Sequence, residues 1–299
     1  MLTNVISRIQ KSSQKSEDSA QNQMESRLEI HYKIGFIGVG NMAQAMIKGL
    51  IESKTVAAKS IYGTNRSEGK LQKATDFFGI QACNNNEELI DQCDVVILTM
   101  KPQDLSAAID PIAASFREGQ IVISLAAGVT LRTLQKKLPQ CRVVRLMANT
   151  PALIQKGMFA YVTNKEDAGI ETLVEDLCEP LGSVFKMDDE DQFEAFTVSC
   201  ASGTGFVYEF MMYFQDWILE RGFEPEAARK MVVETFLGAS LLAEQSKGTP
   251  IEELQSKVTS KKGITSAGLQ SMRELEIERA LRYSFEKAAL RNQELAKEE

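Results

Sequence analysis

The sequence predicts an α/β fold: a doubly wound parallel sheet flanked by helices, followed by a second domain that is all helical. Three observations predict it. Short apolar or β-branched runs alternate with helical patterns from Lys33 onward. A small-residue motif, Gly38-x-Gly40-x-x-Ala43, stands where the first run gives way to the first helical pattern. After Met187 the strand signals stop and long helical patterns take over. Alternation of this kind is the βαβ rhythm of a parallel sheet.

In chain order, eight runs read as strands: KIGFIG, SIYGTN, IQACN, DVVILTM, QIVISLA, RVVRLMA, MFAYVT and SVFKM. Helical spacing between them covers 42–53, 69–78, 105–116, 131–138 and 170–181. Together they place a first domain at 33–188. From 189 the text reads as helices over 189–222, 224–246 and 250–258, then one from Thr265 to the end. Pro225 and Pro250 sit where helices start, because proline is tolerated at a first helical position. A second domain at 189–299 is therefore expected to be all α. Residues 1–32, rich in Ser, Gln and Lys, lack the apolar stretch of a secretory signal. Glu17, Asp18 and Glu25 argue against an organellar transit segment, so a flexible tail is expected.

Composition narrows the function classes. A net charge of −7 without a long basic run announces neither nucleic acid nor an anionic membrane as partner. No apolar run reaches the ~18 residues of a bilayer span. The five cysteines, Cys83, Cys93, Cys141, Cys178 and Cys200, are scattered and odd in number. Neither a disulfide framework nor a metal site is expected, and a reducing, cytoplasmic compartment is. Cys200 reads as a small packed residue rather than a nucleophile.

The motif GVGNMA explains the small residues. Directly after a strand and opening a helix, it has the context of a dinucleotide fingerprint. Gly38 permits the tight turn, Gly40 lets backbone approach a pyrophosphate, and Ala43 lets the helix pack near the strand. Asn41 and Met42 begin that helix, whose free N–H groups suit phosphate. The first domain is thus expected to be a Rossmann-type dinucleotide-binding domain. A plain tight turn would also favour glycine. The second strand ends in GTNRSEGK, where an NAD site usually carries a carboxylate. Asn65, Arg66 and Ser67 make instead a cationic, donor-rich edge suited to a 2′-phosphate. NADP(H) is read over NAD(H), although Arg66 as an ordinary loop cation is the competing reading.

A nicotinamide cofactor carries the hydride, so the protein must position substrate and manage charge. Carbonyl chemistry also needs a proton donor, usually His, Lys or Tyr. The only histidine, His31, precedes the first strand, the wrong end for a ligand in this fold. An iminium substrate removes the requirement, because a protonated C=N already carries its positive charge. Hydrogen bonding at nitrogen and an anion cradle then suffice. Such a place is KVTSKKGITSAGL, where Thr259, Ser260, Thr265 and Ser266 supply hydroxyls and Gly263 permits an unusual turn. An ordinary capped interhelical loop is the alternative that composition leaves open.

With these residues in view, the chain resembles the pyrroline-5-carboxylate reductase family from Lys33 to the C-terminus. The motifs that carry the resemblance are GFIGVGNMAQAMIKGL, DVVILTMKPQ, ISLAAGVTL, RLMANTPALIQKGMFAY, SGTGFVYEF and VTSKKGITSAGL. The resemblance implies NADPH-dependent reduction of Δ1-pyrroline-5-carboxylate to L-proline, the last step of proline synthesis. It implies that Asn65 to Ser67 meet the adenosine end, and that Lys101, Pro102 and Asn149 shape the nicotinamide side. It further implies that Ser260, Gly263 and Thr265, with Thr204, meet the substrate, the Thr265 hydroxyl facing the imine nitrogen as the catalytic contact. A homodimer through 189–299 is expected from the apolar character of the helical domain, and the resemblance points to rings of dimers beyond it. The apolar stretch FVYEFMMYFQDWIL suits burial between subunits.

Three departures stand out. The family's Ser-Pro-Gly-Gly is here Ser260-Lys261-Lys262-Gly263, so Lys262 is expected to be strained if the lost glycine served a positive φ. Phe206 stands where the family has proline, and Ala148 where it has proline or threonine. These leave reduction of a different imine, or a non-catalytic NADP-binding relative, as alternatives. A β-hydroxyacid dehydrogenase is disfavoured because no lysine occurs between Lys186 and Lys230.

Overall fold

The computed structural model describes residues 32–163 and 167–297. His31 and the tail expected over 1–32, apart from Tyr32, lie outside the described residues. The chain forms two compact units that part between Lys186 and Met187.

The first unit is built on β1 (Ile34–Ile37), β2 (Ile61–Thr64), β3 (Gln81–Ala82), β4 (Val95–Leu98), β5 (Ile121–Ser124), β6 (Arg142–Ala148), β7 (Gly157–Thr163) and β8 (Gly182–Lys186). Each falls on one of the runs read from the sequence. They form one sheet in the order β3-β2-β1-β4-β5-β6-β7-β8. β1, β4 and β5 are buried at every position, as strands covered on both faces must be, which is why they read as continuous apolar runs. β3 is a two-residue exposed edge.

One pairing departs from the parallel expectation: β7 runs antiparallel to β6. The reason is the link. Between Ala148 and Gly157 lies only a short 3-10 turn, Thr150–Ile154, and a parallel crossover needs about a dozen residues or more. The chain has to reverse. Asn149 fastens the reversal, its side-chain carbonyl accepting the Met158 N–H at 2.9 Å.

The covering helices are α1 (Asn41–Glu52), α2 (Glu68–Phe78), α3 (Asn86–Gln92), α4 (Pro102–Ile109), α5 (Leu131–Lys137) and α6 (Ala168–Cys178). α1 buries Ala43, Met46, Ile47 and Leu50 in a core shared with Phe36, Ile97 and Phe159. The helix expected over 105–116 starts earlier, at Pro102, and passes into a 3-10 turn at Asp110–Ser115. Pro111 explains the change, since it lacks an N–H and its ring crowds the preceding turn. α3 was not anticipated. It is nucleated by Asn85, whose side chain accepts the Glu88 N–H at 2.8 Å.

The second unit contains α7 (Glu190–Phe196), α8 (Gly203–Leu219), α9 (Pro225–Gln245), α10 (Ile251–Lys257), α11 (Ile264–Glu274) and α12 (Ile277–Lys297). The single helix expected over 189–222 is instead interrupted by a π turn at Thr197–Ala201, where the Ser202 N–H reaches back to the Thr197 carbonyl at 3.0 Å. Gly203 and Gly205, poor helix formers, follow the interruption. The expected terminal helix likewise divides, at Glu276, whose φ of 52° is left-handed and ends the regular hydrogen-bond ladder.

Packing in this unit is thin. α8 has no buried residue, and α9 buries only Ala228 and Val232. Edge-to-face contacts hold α8 to its neighbours: Phe206 to Phe285 of α12 at 5.3 Å, and Phe214 to Phe236 of α9 at 5.2 Å. Phe206, one of the three departures, is therefore occupied in joining α8 to α12. Among the described residues no helix is long and apolar enough to cross a membrane.

Candidate cofactor cleft and substrate loop

In the sheet order, β1 lies between β2 and β4, so the chain turns one way after β1 and returns to the other side for β4. Ligands of open α/β sheets bind at such a switch point, outside the carboxyl ends of the strands. A cleft of about 1090 Å³ opens there, lined by Gly38 and Gly40 after β1, Thr64 to Ser67 after β2, Asn84 to Asn86 after β3, and Thr99 to Lys101 after β4.

The two glycines do different work. Gly38 has a φ of +95°, which side chains rarely adopt, and its N–H donates to the Thr64 carbonyl at 2.9 Å. The fold itself requires that glycine. Gly40 has an ordinary extended backbone, φ −84° and ψ −171°. A Cβ on Gly40 would meet no protein atom within 4 Å. Neither strain nor packing asks for glycine there, and the open space leaves room for a ligand. Just beyond it α1 begins, with no side-chain cap on its first turn, so its leading N–H groups are unclaimed by a cap. The arrangement suits a dinucleotide diphosphate.

Asn65 turns out to be part of the frame. Its side-chain carbonyl accepts the Val39 N–H at 3.1 Å, and its amide donates to the Ser67 carbonyl at 3.0 Å. It thereby ties the end of β2 to the glycine turn. Thr99 secures the other side, its hydroxyl within reach of the Ile37 carbonyl at 3.1 Å and of the Gly38 carbonyl. Arg66 projects into solvent with its side chain 88% exposed and its Nη1 3.3 Å from Asp104 Oδ1. Ser67 precedes α2 without capping it, so its hydroxyl is not spent on the helix.

Of the cofactor residues expected from sequence, Gly38, Gly40, Asn65, Arg66, Ser67 and Lys101 line this cleft. Asn41, Met42 and Pro102 flank it as the opening residues of α1 and α4. Asn149 is not among the lining residues; it is 7% exposed and engaged at the β6–β7 reversal. Sequence reasoning missed Thr99, Asp104 and the Asn84-Asn85-Asn86 run. The Asn run, placed just after a strand, was the available signal, since Asx side chains there cap helices and brace loops. Asn86 accepts from the buried Thr64 hydroxyl at 2.7 Å.

Among the described residues that line the cleft there is no histidine. Their one thiol, Cys83, is pushed up to about 11, by burial first and then by the charge of Glu88, so it stays protonated and is no nucleophile. Cys93 and Cys141 are raised further, to about 12, again chiefly by burial. Among the described residues no cluster of His, Cys, Asp or Glu is arranged to hold a metal.

In the second unit, the loop before α11 holds Lys262 in the strained conformation that the sequence raised for it. Lys262 adopts a φ of 60°, the left-handed conformation that the family's glycine would take without strain. A non-glycine residue in that conformation costs about 1 kcal/mol. Gly263 is the N-cap of α11 and offers no side-chain cap; a Cβ on it would lie 2.2 Å from Ser260 Oγ. The N–H groups of Ile264, Thr265 and Ser266 are left at an open helix start. The hydroxyls sort themselves by position. Thr259 donates to the Gln255 carbonyl at 2.7 Å and is used internally, whereas Thr265, at the second helical position, has no helical carbonyl four residues back. Thr204 is the second residue of α8, directly after the π turn, a feature that often marks functional positions.

Fold and cleft together define a dinucleotide-binding oxidoreductase. Two family profiles agree with that class: "NADP oxidoreductase coenzyme F420-dependent" matches residues 33–128, and "Pyrroline-5-carboxylate reductase dimerisation" matches residues 190–295. The chain is 31% identical to pyrroline-5-carboxylate reductase 2 of Bacillus subtilis over 88% of its own length and 95% of that relative. It is 32% identical to the Pseudomonas aeruginosa pyrroline-5-carboxylate reductase, over 89% and 97% of the two chains. The solved pyrroline-5-carboxylate reductase of Coxiella burnetii superposes with a TM-score of 0.81 at 28% identity, covering 89% of this chain and 99% of that one. The chain belongs to the pyrroline-5-carboxylate reductase family.

Proposed function

We propose that this chain reduces Δ1-pyrroline-5-carboxylate to L-proline with NADPH. The observation that carries the reading is Gly40: an unstrained glycine with open space above it, in a chain alignable with curated reductases of this substrate across both units. When bound, the nicotinamide cofactor supplies the hydride that saturates the C=N bond. Gly38, Gly40 and the start of α1 would hold its diphosphate, Asn65 to Ser67 its adenosine end, and Lys101 with Pro102 its nicotinamide side. Asn149 supports that side through the backbone it fixes. NADP(H) is the preferred nucleotide and NAD(H) the secondary one.

The substrate is assigned to Ser260, Gly263, Thr265 and Thr204. The open N–H groups at the start of α11 suit the carboxylate, and the Thr265 hydroxyl oxygen accepts from the protonated ring nitrogen. Reduction converts that iminium to a secondary amine that keeps its proton, so no side-chain acid is needed. The test is a purified-protein assay that follows NADPH absorbance with Δ1-pyrroline-5-carboxylate, a six-membered imine and a decarboxylated imine. Turnover of the first above the others is expected. NADPH binding without turnover of any of them would refute the enzymatic reading.

On this reading 33–188 is the dinucleotide-binding domain and 189–299 the substrate and dimerisation domain. Homo-oligomer formation agrees with the dimerisation profile and with the apolar surface of the second unit, where Tyr208, Met212, Trp217 and Leu237 are each about half exposed. A patch of that kind marks an association surface. A homodimer through α8 and α9 is the smallest assembly proposed, and a ring of dimers the larger one. Leu237→Glu, which places a charge in the patch, is expected to lower the sedimentation mass of the full chain toward the monomer. An unchanged mass would move the interface elsewhere. The cytoplasm is the proposed compartment, in keeping with five cysteines that form no disulfide among the described residues.

A further inference from the structure

We infer that Asp104 sets the balance between NADPH and NADH by competing for Arg66. The inference rests on the cofactor reading above. Arg66 follows β2 and Asp104 lies in the first turn of α4, after β4. β2 and β4 are the two neighbours of β1, so the ion pair between them, 3.3 Å from Nη1 to Oδ1, spans the glycine turn that follows β1. Both residues line the cleft.

Arg66 is the donor suited to a 2′-phosphate, which it can engage with two parallel N–H groups. To do so it must share its guanidinium with Asp104 or leave it, and the phosphate then lies near a carboxylate of like charge. NADH meets no such conflict. Its ribose presents hydroxyls, and a carboxylate accepts from them, as the acidic residue of NAD sites does. Asp104 thus weakens the nucleotide that Arg66 favours and leaves the other unharmed. The pair is exposed, 88% and 37% for the two side chains, so the effect is graded rather than absolute.

The experiment is calorimetric titration of the full chain, as wild type, Asp104→Asn and Arg66→Gln, with NADPH and with NADH. Asp104→Asn keeps the side-chain shape and removes the charge. It is expected to tighten NADPH about two- to fivefold, the range an exposed ion pair carries, without tightening NADH. Arg66→Gln is expected to weaken NADPH about tenfold and to leave NADH within about twofold. If Asp104→Asn shifts both nucleotides equally in either direction, the residue acts on the dinucleotide as a whole and the inference is overturned, while the Arg66 result still stands for the cofactor reading. If Arg66→Gln leaves both affinities unchanged, the 2′-phosphate does not reach Arg66, and the inference falls together with that part of the reading.

Discussion

Gly40→Val is expected to raise the dissociation constant for NADPH about a hundredfold, close to 2.8 kcal/mol at ~1.4 kcal/mol per tenfold, with at most a small loss in melting temperature. The two halves of that expectation come from separate observations. The backbone at Gly40 is extended, so valine adopts it without strain. A Cβ added there meets no atom within 4 Å beyond its chain neighbours, so packing loses nothing, and giving up glycine at the N-cap is expected to cost no more than about 1 kcal/mol. On the proposed reading, the valine side chain would occupy the place where backbone N–H groups at the start of α1 meet a diphosphate. Gly38→Ala is the informative contrast. With φ at +95° and Thr99 Oγ1 3.3 Å from the added Cβ, it should lose stability and binding together. Titration of both variants, alongside thermal melting, checks the distinction. A Gly40→Val protein that binds NADPH like wild type would show that the glycine turn is not the diphosphate site.

The same contrast explains how far the sequence could be read. The eight strands were legible because a covered sheet forces apolar residues at every position of β1, β4 and β5, and such runs are visible without knowledge of partners. Strand direction was not written in the runs. β7 reads like its neighbours, and only the short link after β6 dictates its reversal. The breaks at Thr197–Ala201 and Glu276 escaped for another reason: a π turn and a single left-handed residue keep helical spacing nearly intact on either side, so periodicity barely registers them. Residues singled out at the glycine motif and at the end of the second strand line the cleft, whereas Asp104, which also lines it, was not singled out. It is thirty-eight positions from Arg66, and only the order of β2, β1 and β4 brings the two together. Asn65 was identified for the right neighbourhood, yet its amide is spent on Val39 and Ser67, a use that no spacing announces.

Thr265→Val is expected to lower kcat with Δ1-pyrroline-5-carboxylate about a hundredfold, the lower end of what loss of one positioned hydrogen-bond group costs an active site. NADPH affinity is expected to stay unchanged, because the residues that line the nucleotide cleft belong to the first unit. The hydroxyls of the helical unit differ in their freedom to act. Thr235, Ser256, Thr259 and Ser284 each donate to the carbonyl four residues back, a local bond that consumes the proton and fixes the rotamer. Thr265 cannot make it, since residue 261 precedes the N-cap Gly263 and contributes no helical carbonyl. Its oxygen is available to a positively charged ring nitrogen, while the neighbouring N–H groups at the same helix start favour the carboxylate on the adjacent carbon. Valine keeps the branched shape and removes only the oxygen; serine keeps the oxygen and removes only the methyl. Thr265→Ser is therefore expected to retain kcat within about fivefold, and both variants to melt like wild type, because the side chain is exposed. Equal losses in the valine and serine variants would assign Thr265 to packing, and a wild-type kcat in the valine variant would remove it from the chemistry.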